Sequence, residues 1–106
     1  MMDKEMDNVL MGIDSIVQKL LIPARTEKTI DRDAFDLFYV YLDKILELVQ
    51  EKEMIPRRVA GLLFFIYTSL SGDVQNKDYR NPVFMEVAKL EGYLSKIYWD
   101  SPFIDR

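Results

Sequence analysis

The chain reads as all-α, a four-helix up-and-down antiparallel bundle in a single domain over residues 1–106. Three observations carry that reading. Apolar residues recur at three- and four-residue steps in four separate segments, the pattern of helices that each bury one face. Runs alternating apolar and polar residues, which would mark half-buried strands, are scarce. Breaks at Pro23, Pro56, Ser71-Gly72-Asp73 and Asn81-Pro82 divide the chain where helices stop or start. A chain of 106 residues supports one core and buries roughly 65% of its unfolded surface without staples.

In the first segment Met6, Val9, Leu10, Ile13, Ile16, Val17, Leu20 and Leu21 share one side, with Lys4, Asp7, Asn8, Asp14, Ser15 and Gln18 opposite. This predicts an amphipathic helix ending before Pro23, because proline lacks an N–H and crowds the carbonyl four residues back. Residues 24–29 read as a polar link. Thr29 or Asp31 then caps a second helix over 32–52, with Asp31 and Asp33 where the positive end of the helix dipole favours acids. The apolar residues of that helix, from Ala34 and Phe35 to Leu48 and Val49, cover an arc of about 200°, wider than one neighbour needs. Its remaining arc carries Asp36, Asp43, Glu47 and Glu51. That acidic ridge has two readings, a solvated face that keeps an apolar helix soluble or a dock for a basic partner.

The third helix begins at Pro56, which suits a first helical position, and carries no charge from Val59 until Asp73, so it is predicted to be the most enclosed element. Ala60-Gly61 is expected to admit a neighbouring backbone closely, and Gly72 to stop the helix. The doublet Arg57-Arg58 reads as solvated side chains or as an anion contact, and 72–81 as a polar loop. In the fourth helix Asn81 is the cap, Pro82 the first residue, and Val83, Val87, Leu90, Leu94 and Ile97 the core stripe. Glu86, Lys89 and Lys96 are assigned to one charged flank. The back of this helix is unusual, because Met85, Ala88, Gly92, Ser95 and Trp99 fall together with no charge among them. A shallow groove of small residues bracketed by Met and Trp reads as a partner interface. Beyond it Pro102 ends any helix, while Phe103 and Ile104 join the candidate interface, either folded back on the bundle or displayed.

The residue types also bound the chemistry. With no His and no Cys, the chain lacks a thiolate nucleophile, an imidazole base and a Cys/His zinc site. The carboxylate pairs Asp31/Asp33 and Asp43/Glu47 lie on predicted solvent faces, where nothing raises a pKa. Gly12, Gly61, Gly72 and Gly92 are isolated, so there is no phosphate loop. Neither catalysis nor a cofactor nor a metal is expected. A net charge of -4 argues against nucleic acid, whose phosphates need a basic patch. The longest apolar run, 59–67, falls far short of the ~20 residues that span a bilayer. The start, Met1-Met2-Asp3-Lys4-Glu5-Met6, has no apolar run of the kind a secretory signal needs, and the chain reads as cytoplasmic. What remains is a binding role, with a protein partner or a homodimer. A regulator or inhibitor from a mobile element, docking through the Gly92 face or the acidic ridge, is one form. A small-ligand bundle with a pocket between Phe35, Phe38, Phe64, Phe65 and Tyr67 is another.

The segment Pro56-Arg57-Arg58-Val59-Ala60-Gly61-Leu62-Leu63-Phe64-Phe65-Ile66-Tyr67-Thr68-Ser69-Leu70, a loop, a last amphipathic helix and the run Lys96-Ile97-Tyr98-Trp99-Asp100-Ser101-Pro102-Phe103 stand in that order. This half of the chain resembles the second half of enterocin-type bacteriocin immunity proteins. The resemblance implies a cytoplasmic four-helix antiparallel bundle that protects its producer, associated peripherally with a membrane receptor complex engaged by the bacteriocin. It also implies that the C-terminal region sets specificity, through Trp99, Phe103 and Ile104.

Overall fold

Each of the four apolar-periodic segments becomes a helix. The computed structural model describes residues 4–74 and 80–99, which form α1 (Lys4–Glu27), α2 (Arg32–Val49), α3 (Arg57–Gly72) and α4 (Pro82–Tyr98), with no strand among the described residues. The all-α four-helix bundle predicted from the sequence is the fold observed.

Helix α1 runs through Pro23 to Glu27, where the sequence predicted a stop. Proline cannot donate to the carbonyl of Lys19, a defect costing on the order of 3 kcal/mol. The packing on either side offsets it: Leu20 and Ala24, one turn apart, are both fully buried, so residues 24–27 continue the helix and Ala24 belongs to the core instead of a polar link. The helix ends where Lys28 takes a left-handed φ of 54° and Thr29 N–H donates back to the Pro23 carbonyl at 3.2 Å.

Asp31 is the cap of α2, accepting from Ala34 N–H at 3.1 Å, and Thr29 is not. The helix stops at Val49, short of 52, because Gln50 turns extended and Glu51 takes a φ of 64°. Pro56 is the cap of α3 and Arg57 its first residue. Helix α4 follows its prediction, with Asn81 Oδ1 accepting from Val83 N–H at 2.9 Å and Pro82 in the first turn.

The core takes Phe35, Phe38, Leu42 and Ile45 from α2, Ile13 and Leu20 from α1, Leu63, Ile66 and Leu70 from α3, and Val83 and Leu90 from α4, all at 0% exposure. Helix α3 is not the most enclosed element. Only Val59, Leu63, Ile66 and Leu70 of it are buried, while Phe64 and Phe65 are 64% and 53% exposed. An uncharged helix still has a solvent side when it sits at a corner of the bundle. Gly61 lies on that side with open space where a Cβ would be, so among the described residues no backbone approaches it. The close approach is at Gly12 instead, where an added Cβ would meet the Tyr41 ring.

Chain direction alternates from helix to helix. The principal packing pairs are α1 with α2, α3 with α4, α1 with α3 and α2 with α4, which sets α2 and α3 across a diagonal. Ion pairs give the directions. Arg58 reaches Asp7 at 3.4 Å and Asp73 meets Arg25 at 3.6 Å, so α1 and α3 run parallel. Arg32 meets Glu86 and Tyr93 meets Asp43, so α2 and α4 do as well.

Candidate functional site

Helix α4 carries four charges, Glu86, Lys89, Glu91 and Lys96, and the structure draws three of them to its neighbours. Glu86 is 7% exposed, inside the bundle instead of on the charged flank predicted for it. The Arg32 guanidinium of α2 grips it with a two-pronged fork, Nη1 to Oε2 at 3.1 Å and Nη2 to Oε1 at 3.0 Å. The Tyr39 hydroxyl donates to the same Oε1 at 2.6 Å. Burial alone pushes the Glu86 carboxyl up, but the bonds from Arg32 and Tyr39, with the charges of Arg32 and Lys89, outweigh it and hold the group below the usual carboxylate range. Burial and the Glu86 carboxylate push the Tyr39 hydroxyl well above the ordinary tyrosine range.

The network extends outward along the α2/α4 seam. Tyr39 stacks on Tyr93 with ring centroids 5.7 Å apart, and Lys89 Nζ lies 4.2 Å from the Tyr39 centroid. Tyr93 donates to Asp43 at 2.8 Å; burial first, then that bond, pushes its hydroxyl up to about 12. Glu86 thus stays ionised and both tyrosines stay protonated at neutral pH, so the network acts as a clamp between two helices and offers no acid or base poised near pH 7.

On the other seam Glu91 accepts from Tyr67 of α3 at 3.1 Å, and Tyr98 donates to the Ala60 carbonyl at 3.1 Å. Lys96 faces an open depression of about 790 Å³ at the bundle end, shared with Glu47, Glu51 and Trp99. Five positions along the back of α4 carry no charge, with the exposed Lys89 and Lys96 on one flank and the exposed Glu91 on the other. Met85 is 64% exposed and Trp99 65%, with Ala88, Gly92 and Ser95 exposed between them and open space above Gly92. All five residues are exposed, four of them on α4 and Trp99 at its extended C-cap. Phe103 and Ile104, assigned to the same interface, lie outside the described residues.

Other candidates disperse. Of the acidic ridge, Asp36 pairs with Arg32 at 3.0 Å, Glu47 with Lys44 at 3.4 Å and Asp43 with Tyr93, while Glu51 has left the helix. The five aromatics offered as a ligand pocket do not converge, since Phe35 and Phe38 are interior and Phe64 and Phe65 face outward. Among the described residues, no group of three or more His, Cys, Asp or Glu side chains is placed to hold a metal ion, and no helix is long and apolar enough to cross a membrane. The clamp escaped the sequence reading, although one signal was present: Glu86 sits between Val83 and Leu90, inside the three- and four-residue stripe that the core occupies.

Comparison with family models, with curated proteins and with solved structures finds no match to this chain.

Proposed function

We propose that this is a non-catalytic protein-binding module whose contact surface is the back of α4, and that its most specific form is an immunity-type protective protein. The observation that carries the reading is the removal of charge from that surface. Glu86, Lys89 and Glu91 engage α2 and α3, and the exposed stripe between the charged flanks of α4 holds a Met, a Trp and three small residues. Large apolar side chains around small ones give a partner both anchors and close approach, the features that dominate binding energy.

Gly92→Arg tests it. Arg is a better helix former than Gly by nearly 1 kcal/mol and Gly92 has open space above it, so the bundle keeps its circular dichroism and thermal midpoint. Affinity capture from the source cells, compared with wild type by quantitative mass spectrometry, loses at least one bound protein. An identical set of bound proteins contradicts the reading. The immunity form makes a separate demand, that expressing the chain protects a sensitive cell against a bacteriocin and that Gly92→Arg abolishes the protection.

A further inference from the structure

We propose that a second copy of this chain packs on the α4 back, with the two α4 helices parallel. The inference rests on the reading of that back as a contact surface and names its occupant. Met85, Ala88, Gly92, Ser95 and Trp99 step by three and four residues, the spacing of a coiled-coil seam with 85, 92 and 99 at a and 88 and 95 at d. Met85 to Ser95 lie on one unbroken helix that runs to Tyr98, and Trp99 closes it as an extended C-cap whose N–H donates to the Ser95 carbonyl at 3.1 Å, which leaves the indole exposed at the end of the seam.

The structure fixes the flanks of this seam. On the α3 side stand the g positions Glu91 and Tyr98, held by Tyr67 and by the Ala60 carbonyl. On the α2 side stand the e positions Lys89 and Lys96, one over the Tyr39 ring and the other beside the α2 end. A two-fold axis running along the seam brings opposite flanks together, so a g residue of one copy meets the e residue five positions further on in the other. Glu91 then faces Lys96 of the second copy, and symmetry makes the pair twice. A two-fold axis across the seam brings like flanks together, Glu91 against Glu91 and lysine against lysine. Charge therefore selects the parallel arrangement.

Small side chains at 88, 92 and 95 let the helices approach closely between the Met85 and Trp99 layers. The contact is closed by its symmetry and does not propagate. A seam of about two heptads is only ~20 Å long, so the area is below that of a standard interface and the dimer is weak.

Sedimentation equilibrium of the purified protein over roughly 1–500 μM tests the dimer, the range in which a small interface of this kind is half-associated. The mass rises from 12.5 kDa toward twice that value. Glu91→Lys or Lys96→Glu alone weakens the dimer about tenfold, and the double reversal restores it because the pairs re-form with their ends exchanged. Lys96 is exposed, so Lys96→Glu carries the test even if Glu91→Lys disturbs Tyr67. The chain has no cysteine, so Ser95→Cys can form a disulfide only between copies, and the parallel register makes it self-link under mild oxidation. A monomer at every concentration, a dimer indifferent to both reversals, or one in which Ser95→Cys fails to self-link overturns the proposal. A monomer whose captured protein is nevertheless lost in Gly92→Arg overturns the dimer alone and leaves the contact surface standing.

Discussion

The Tyr39 hydroxyl donates to Glu86 Oε1 at 2.6 Å across the parallel α2/α4 pair, inside the core. A carboxylate at a core position must find donors, and only one rotation of α4 gives it both Tyr39 and the Arg32 fork. That rotation turns Val83 and Leu90 inward and Met85, Gly92 and Trp99 outward. The clamp thus fixes which face of α4 is turned to solvent.

Breaking the clamp costs more than replacing it. Tyr39→Phe removes one donor to a charged acceptor and lowers stability by about 1–2 kcal/mol. Arg32→Met leaves the carboxylate buried beside one donor and lowers it further, by about 2–4 kcal/mol. The triple replacement Arg32→Met, Tyr39→Phe, Glu86→Leu returns to within about 1 kcal/mol of wild type, because no charge remains to desolvate. Urea unfolding measures all three, and a triple variant less stable than Arg32→Met alone contradicts the argument.

The clamp also sets the pH limits of stability. Folded Glu86 binds its proton more weakly than the unfolded chain does, so its contribution is present above about pH 4.3 and lost as the pH falls through the lower folded value. Tyr39 and Tyr93 hold their protons more tightly when folded, so their contribution is present below about pH 10 and lost as the pH rises, Tyr93 near 12. Denaturant midpoints across pH show a plateau between these limits. Glu86→Gln flattens the acid limb and Tyr93→Phe the alkaline limb; unchanged limbs in both variants contradict the assignment.

Two glycines respond oppositely to the same substitution. At Gly61 the space is open, and alanine raises stability by about 1 kcal/mol through helix propensity. At Gly12 the added methyl meets Tyr41, with Cε1 at 2.8 Å and the ring tip nearer still. Gly12→Ala therefore loses about 1–2 kcal/mol to overpacking, and becomes stabilising when Tyr41→Leu clears the space. Thermal unfolding of the four variants checks the signs.

Local rules read well from the sequence because their causes are local. Asp31 and Asn81 cap the helices named for them, since a side-chain oxygen before an apolar-periodic run has N–H groups to accept from within two or three residues. The exposure of Met85, Ala88, Gly92 and Ser95 was legible for a similar reason, as uncharged residues on one arc of one helix. Pro23 misled because its cost is local while the burial of Leu20 and Ala24 that offsets it is tertiary. Helix α3 misled because the lack of charge says nothing about which corner a helix occupies. Glu86 was read as a flank charge because its partners lie 47 and 54 residues away in the chain, beyond the reach of any pattern along α4.

The central claim, that the back of α4 is a contact surface, is tested most directly by Trp99, the single tryptophan of the chain and 65% exposed. Its emission maximum and acrylamide quenching are measured on the dilute protein, on the concentrated protein and on the complex recovered by capture. The account predicts long-wavelength, readily quenched emission when dilute, with a blue shift and reduced quenching in at least one of the other two states, and neither change in Gly92→Arg. Identical emission and quenching in all three states would contradict it.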